Sequence, residues 1–243
     1  MMKYTVVLPT LNEEENIGTM IRNLMSLPEP PAEIRVVDDH SSDGTQQVVT
    51  GLEKEYPGVV HFMLNAGRKS LSASVVTGFD AASTEILLCM DADGQHRVQD
   101  VPLLVKAIAE GSSIAIGSRY VENGGFAQKW NFFRVLMSRS AAFMAFASLH
   151  VKVKDPMSGF FAVRDTAYRS IRKGLAPDGF KIMLEILYLL QLTGDTRVKE
   201  CGIIFELRQK GESKLTAKTI RQYLAMLVSC MVRRGKLKRL LAE

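Results

Sequence analysis

Cysteine is scarce and scattered in this chain of 243 residues: Cys89, Cys201 and Cys230 are odd in number and far apart. With no Cys-x-x-Cys pair and no histidine at metal-ligand spacing, neither a disulfide framework nor a zinc site is indicated, and a reducing cytoplasm is the expected setting. Long apolar runs are also missing. The longest, Ala141 to Leu149 and Leu224 to Val232, fall short of the roughly 20 residues that a bilayer crossing requires. A secretory signal is not expected either, because the strand-like run Tyr4-Thr5-Val6-Val7-Leu8-Pro9 starts almost at once, leaving no place for a basic region, apolar core and cleavage site. There is no repeat, low-complexity segment or Pro/Gly/Ser linker, so a length compatible with one sizeable domain is read as one.

Charge is modest overall and uneven in its placement. The formal net charge is +5, yet the segment from Lys214 to Glu243 holds eight Lys or Arg against one Glu, which leaves the remainder slightly acidic. Within it, Ile220, Leu224, Leu227, Val228 and Met231 recur at three- and four-residue steps beside Arg221, Arg233, Arg234, Lys236, Lys238 and Arg239. That pattern predicts a basic amphipathic helix. Such a helix lies on an anionic membrane surface, or it packs its apolar stripe on the core with a solvated basic end favoured by the helix dipole. Nucleic acid is not the expected partner, since no aromatic-interleaved basic surface or binding motif accompanies the charge.

Strand-like and helix-like segments alternate through the first half. Tyr4 to Leu8 precedes a helical Glu13 to Met25; Ile34 to Val37 precedes Gly44 to Tyr56; Val59 to Leu64 precedes Ser72 to Ala82; Ile86 to Met90 precedes Val101 to Glu110; Ser113 to Gly117 follows. This rhythm predicts an α/β fold with a mostly parallel sheet covered by helices. Short, almost wholly apolar strands fit a sheet buried on both faces, where ligands collect at the carboxyl ends of the strands. The second half differs: a helix-like run from Trp130 to Leu149, a turn at Asp155-Pro156-Met157-Ser158-Gly159, and two further helix-like runs. Phe126, Trp130, Phe132, Phe133, Phe143 and Phe146 there either line an apolar groove or belong to the core.

The densest chemical signal is Ile86-Leu87-Leu88-Cys89-Met90-Asp91-Ala92-Asp93-Gly94-Gln95-His96, an apolar strand that delivers two carboxylates and an amide to its carboxyl end. Asp91 and Asp93 are hard oxygen ligands suited to Mg²⁺ or Mn²⁺, ions that take one or two protein carboxylates and fill the remaining positions with water and phosphate. An Asp-x-Asp after a strand also serves simply as a turn or helix cap. Arg134, Ser138 and Arg139 interrupt the apolar run that follows Trp130, with Arg134 and Ser138 four residues apart on one face. Two arginines and a hydroxyl suit an anion, or else mark a solvent-facing edge.

Taken in order, Val7-Leu8-Pro9-Thr10-Leu11-Asn12-Glu13-Glu14, Val36-Val37-Asp38-Asp39-His40-Ser41-Ser42-Asp43-Gly44-Thr45, the Asp91-Ala92-Asp93 run and Gly117-Ser118-Arg119-Tyr120 resemble the glycosyltransferase family 2 arrangement called GT-A. Asp155-Pro156-Met157-Ser158-Gly159-Phe160, Gly179-Phe180-Lys181-Ile182-Met183-Leu184-Glu185 and Arg208-Gln209-Lys210-Gly211-Glu212-Ser213-Lys214-Leu215 resemble the dolichyl-phosphate mannose synthases and their polyprenyl-phosphate sugar relatives within it. The resemblance implies a Rossmann-like GT-A domain over residues 1–215, with an acceptor-side helical region, followed by the amphipathic helix of 216–243.

It implies, further, that Pro9, Leu11, Glu13, Val37 and Asp39 surround the nucleoside; that Asp91, Ala92, Asp93 and Gln95 meet metal and diphosphate; and that Arg208 and Lys214 close over the donor diphosphate. Arg119, Arg134 and Ser138 match residues that hold the acceptor phosphate, and Arg119 is assigned to the donor as well. In the same comparison Asp91, Asp93 and Arg208 carry catalysis, and His96 is a neighbour of the site. A turn, helix cap or first-turn charge is the plain structural role for Asp39, Ser41, Asp43-Gly44 and Glu13; exposed loop charges are the plain role for Arg208 and Lys214.

The implied reaction is an inverting, metal-dependent transfer from a nucleotide sugar, GDP-mannose in first place, to a dolichyl or polyprenyl phosphate. A phosphate monoester already carries negative charge at neutral pH, so no general base is required. The implied location is peripheral, on the cytoplasmic face of a membrane, docked on lipid or on a membrane-anchored partner. Two alternatives stand beside it: a UDP-sugar donor such as UDP-glucose, and a non-catalytic nucleotide-binding partner. The chain departs from its relatives at Arg68-Lys69-Ser70-Leu71-Ser72-Ala73, where a Gly-Leu-Gly-like turn is common; the backbone there is less permissive.

Overall fold

The computed structural model describes residues 2–67, 69–127, 132–177, 181–206 and 217–242, with the side chains of 132–136, 138 and 217–219 outside the description. Seven strands form the central sheet: β1 (Tyr4–Thr10), β2 (Glu33–Asp38), β3 (Val60–Leu64), β4 (Ile86–Cys89), β5 (Ile114–Ser118), β7 (Phe161–Arg164) and β8 (Val198–Gly202). Their order is β3-β2-β1-β4-β7-β5-β8. All neighbouring pairs run parallel except β7, which lies antiparallel between β4 and β5. A short ribbon, β6 (Gly125–Phe126) with β9 (Ile204–Phe205), stands beside the sheet.

Helices α1 (Glu14–Met25), α2 (Thr45–Glu55), α3 (Leu71–Ala81) and α4 (Val101–Ala109) follow the strands as the alternating pattern predicts. The boundaries agree with expectation to within one or two residues, which is the ordinary fraying of helix ends. α5 (Phe132–Leu149), α6 (Asp165–Ile171), α7 (Ile182–Leu192) and α8 (Ala217–Ala242) complete the second half.

Two cores lie on the two faces of the sheet, and strand alternation divides residues between them. On β1, Val6 and Leu8 pack toward α1, α2 and α4, whereas Val7 faces α3. On β4, Ile86 and Leu88 go to the first core and Leu87 and Cys89 to the second. Gly78 on α3 is dictated by this packing: a Cβ there would stand 2.5 Å from Val7 Cγ1 and 3.2 Å from Val37 Cγ2.

α8 packs on the core by one stripe and leaves most of a second exposed. Its buried residues are Tyr223, Leu227, Cys230 and Leu237, and Tyr223 donates its hydroxyl to the Ala141 carbonyl of α5 at 2.6 Å. Of the stripe read from the sequence, only Leu227 is buried; Ile220, Leu224, Val228 and Met231 are exposed. The helix carries two apolar stripes, both at helical spacing, and contact with α5 and α7 covers the one through Tyr223, Leu227, Cys230 and Leu237. Phe143 and Phe146 on α5 are likewise exposed and so are not core; Trp130 and the side chains of Phe132 and Phe133 lie outside the described residues. Among the described residues, no helix is long and apolar enough to cross a membrane.

Candidate active site

β1 is the switch point of the sheet: β2 follows it on one side and β4 is reached on the other, and ligands in open α/β sheets bind outside the carboxyl ends of the strands at such a point. The loops leaving β1 and β2 are laced together there. Asp38, buried at the end of β2, accepts from the Ser41 amide at 2.7 Å, the Ser41 hydroxyl at 2.5 Å and Thr10 Oγ1 at 3.2 Å. The Ser41 hydroxyl in turn accepts from the Asn12 amide at 2.8 Å.

The helix starts cap one another. Asp43 accepts from the Glu14 amide at 3.1 Å and the Thr45 amide at 3.0 Å, while the Glu14 carboxylate accepts from the Gly44 amide at 2.8 Å. Burial alone raises the Asp43 carboxyl, but these amides and the Thr45 hydroxyl outweigh it and hold the group below the usual carboxylate range. Asp43 therefore fills the turn-and-cap role. Asp39, one residue past β2, is partly exposed and accepts from Asn65 Nδ2 at 2.9 Å. Pro9, Leu11 and Glu13 are also partly exposed at this edge, with Glu13 accepting from Asn16 Nδ2 at 2.9 Å.

The expectation for Val37 and Ala92 is corrected in part. Val37 is fully buried against α3, where strand parity sends its side chain, and Ala92, in the bend beyond β4, is 2% exposed in the opposite core.

Beyond β4, Gly94 at φ 77° reverses the chain, a left-handed position that suits glycine. Asp93 is 4% exposed and accepts from the Gln95 amide at 3.0 Å. Asp91 is more open, with 34% of its side chain accessible. Its Oδ2 lies 3.4 Å from His96 Nε2, and a Cβ on Gly159 would meet the same oxygen at 2.8 Å. Gln95 donates Nε2 to the Glu206 carbonyl at 3.3 Å. Two carboxylates and one amide oxygen, with no sulfur, form a donor set that fits Mg²⁺ or Mn²⁺ sharing its shell with phosphate. Among the described residues there is no cluster of three His, Cys, Asp or Glu side chains able to hold a metal ion.

Arg119 does not stand open toward an anion. Its Nε donates to Asp155 Oδ2 at 2.8 Å and its Nη2 to Asp155 Oδ1 at 2.7 Å, and its amide meets Oδ2 at 3.1 Å. Both side chains are buried. The guanidinium carbon lies 5.2 Å from the Phe205 ring centroid, 5.5 Å from Tyr120 and 5.8 Å from Phe126, a cation–π cage. Desolvation works against the charge, but Asp155 prevails and raises the Arg119 pKa further. Asp155 is itself oriented by Glu200, which accepts the Asp155 amide at 3.0 Å and the Lys154 amide at 2.8 Å.

Lys181 is a second cation at the same place. It donates Nζ to the Met157 carbonyl at 2.9 Å. Burial pushes its ammonium down to about 8, Arg119 acting in the same direction and Asp91 and Asp155 against it. Arg208 and Lys214 lie outside the described residues; Arg134 and Ser138 fall on α5, their side chains outside the description.

Sequence reasoning assigned no role to Asp155, Lys181, Phe205 or Glu200. The first two sit inside segments already singled out, at 155–160 and 179–185. Phe205 and Glu200 carried no local signal, because their function is to back residues distant in the chain.

A doubly wound sheet with an acidic loop beyond its fourth strand defines a GT-A-like glycosyltransferase fold. Glucosyl-3-phosphoglycerate synthase from Mycobacterium tuberculosis, solved with Mn²⁺, UDP and glucosyl-3-phosphoglycerate, superposes with a TM-score of 0.71 at 19% identity, covering 94% of this chain and 79% of that one. Residues 5–172 match Glycosyl transferase family 2, and the chain belongs to that family. Dolichol-phosphate mannosyltransferase of Pyrococcus furiosus is 39% identical over 98% of this chain, which spans 66% of that protein's length. The enzyme of the same name from Saccharomyces cerevisiae is 34% identical, with 93% and 86% covered. Polyprenol monophosphomannose synthase of Mycolicibacterium smegmatis is 31% identical, with 96% and 88% covered.

Proposed function

We propose that this chain transfers mannose from GDP-mannose to the phosphate of a dolichyl or other polyprenyl lipid, inverting the anomeric carbon. The observation that supports the reading is the convergence of Asp91, Arg119 and Lys181 beyond the central strands, with Asp93 two residues on in the same loop, in a chain whose relatives are named for dolichol phosphate and polyprenol monophosphomannose. Asp39 and Glu13 are suited to accept hydrogen bonds from base or ribose, with Pro9 and Leu11 as apolar contact. Asp91, Asp93 and Gln95 would hold Mg²⁺ or Mn²⁺, which supplies charge neutralisation to the departing diphosphate; Arg208 and Lys214 serve the same diphosphate.

On the acceptor side, Arg119, Arg134 and Ser138 are assigned to the lipid phosphate. Because Asp155 pins the Arg119 guanidinium, Arg119 acts from a fixed position, and Lys181 adds a second charge there. The acceptor oxygen is already anionic, so orientation behind the anomeric carbon is the protein's main contribution.

We assign residues 1–215 to catalysis and 216–243 to docking. Along α8, exposed Ile220, Leu224, Val228, Met231 and Val232 stand with Arg221 and the cations from Arg233 to Arg239, which suits the anionic cytoplasmic face of a membrane. Flotation with acidic liposomes at low salt is expected to carry the protein upward, and protein left at the bottom removes this part.

The test of the activity is transfer of labelled sugar to a polyprenyl phosphate in detergent with Mn²⁺, from GDP-mannose and UDP-glucose in parallel, with and without chelator. Chelator-sensitive lipid product from GDP-mannose is expected, and its loss in Asp93→Ala. Product from UDP-glucose alone replaces the donor assignment, and nucleotide binding without product from either donor defeats the catalytic reading.

A further inference from the structure

His96 lies five residues beyond Asp91, brought back beneath it by the turn at Gly94. Its ring is 3% exposed and packed between Phe160 and Phe205, with centroids 5.1 Å away on each side and interplanar angles of 36° and 72°. Neither ring nitrogen has a hydrogen-bond partner. Buried polar groups are nearly always satisfied, and an exception calls for an explanation. Asp91 Oδ2 lies 3.4 Å from Nε2, longer than an ordinary hydrogen bond, and the buried Asp100 carboxylate is a second acid close enough to interact with the ring. Catalytic hydrogen bonds are often long before substrate binds and tighten afterwards.

We propose that His96 is a positioning residue for Asp91, a role that deepens the functional reading above. Three surfaces carry it. The aromatic pair Phe160 and Phe205 fixes the plane of the imidazole. The imidazole sets Nε2 3.4 Å from one oxygen of Asp91, a contact that a small turn of the carboxylate converts to a hydrogen bond. Gly159 stands against that same oxygen, close enough that any side chain there would collide with it. Oδ2 is bracketed, rotation of the carboxylate is restricted, and Asp91 presents one orientation to whatever occupies the crevice. His96 also lines a polar pocket of about 300 Å³ with Asn16, Thr19, Gly94 and Glu206, space enough for water.

Fixing the orientation of a ligating carboxylate is the commonest service that outer groups render to a metal site, and losing such a group typically costs 10–100-fold in metal affinity. His96→Phe keeps a flat ring in the aromatic stack and removes the donor. His96→Leu removes donor and ring together. His96→Gln restores an N–H near the Nε2 position. The experiment measures Mn²⁺ affinity in the presence of GDP by the electron paramagnetic resonance signal of free Mn²⁺, with thermal melts to confirm folding, and crystal structures of wild type and variant without metal. A loss of at least roughly 10-fold in the folded Phe or Leu variant is expected, with substantial recovery in His96→Gln and a turned Asp91 carboxylate in the variant structure. Wild-type affinity and an unturned carboxylate in either folded variant overturn the proposal. Wild-type protein that binds no Mn²⁺, while Asp91 still turns in the variant, leaves the positioning role in place and defeats the metal-dependent reading instead.

Discussion

The buried pair Arg119–Asp155 offers the sharpest quantitative test. Asp155 is fully buried and the Arg119 side chain is 8% exposed, with two side-chain bonds of 2.7 and 2.8 Å between them. Asp155→Asn preserves shape and leaves a carbonyl oxygen to accept the Arg119 amide, but it strands the guanidinium charge in a desolvated site. Removing one partner of a buried pair costs about 3–5 kcal/mol. For a chain of this size, each kcal/mol moves the melting temperature by roughly 2–4 °C, giving an expected fall of about 6–20 °C. The aromatic cage of Phe205, Phe126 and Tyr120 offsets part of this, which favours the lower half of that range. Urea unfolding followed by circular dichroism gives the free energy directly. The decisive comparison adds Arg119→Met: with both charges gone, Arg119→Met/Asp155→Asn is expected to be more stable than Asp155→Asn alone, because an apolar replacement no longer carries an unpaired charge. A loss below about 1 kcal/mol in Asp155→Asn, or additivity within about 0.5 kcal/mol, would refute the argument.

Further outcomes follow from the same geometry. Gly159→Ala places a Cβ 2.8 Å from Asp91 Oδ2, so transfer is expected to fall at least roughly 10-fold with little change in melting temperature; unchanged turnover removes Asp91 from the site. Lys181→Met relieves a desolvation cost. Because the ammonium titrates near 8 rather than 10.5, the folded state bears the whole cost below pH 8 and sheds it as pH rises toward 10.5. The variant in chelator is therefore expected to be roughly 1–3 kcal/mol more stable at pH 7, with the advantage shrinking above pH 8, and to transfer sugar more slowly. A constant difference from pH 7 to 10 contradicts that assignment. Gly78→Ala drives a methyl into Val7 and Val37 and is expected to cost about 1–3 kcal/mol by urea unfolding, despite the better helix propensity of alanine; a stabilised variant shows that α3 can move away from β1.

Strand and helix alternation through Ser118 was legible because each unit is local: apolar runs, a turn, an amphipathic stretch. The acidic loop of Asp91 and Asp93 was legible for the same reason, since its carboxylates lie at the end of one strand. β7 was not, because its antiparallel place between β4 and β5 depends on which sheet edge remains open when it arrives. Which face of α8 packs on the core was left open, since two apolar stripes compete on one helix and only contact with α5 and α7 decides which is covered. Val37 faces away from the crevice because strand parity, rather than proximity in a motif, directs its side chain.

The amino-acid sequence by itself determined the mostly parallel α/β architecture and the hard-oxygen character of the acidic loop at the carboxyl end of β4, both consequences of patterns within about ten residues. The tertiary structure alone decided which charges work together. Asp155 reaches Arg119 from 36 residues away, Glu200 orients Asp155 from 45 residues away, and Phe205 closes on both Arg119 and His96. Electrostatic and packing energies depend on distance and burial in space, and separation along the chain sets neither.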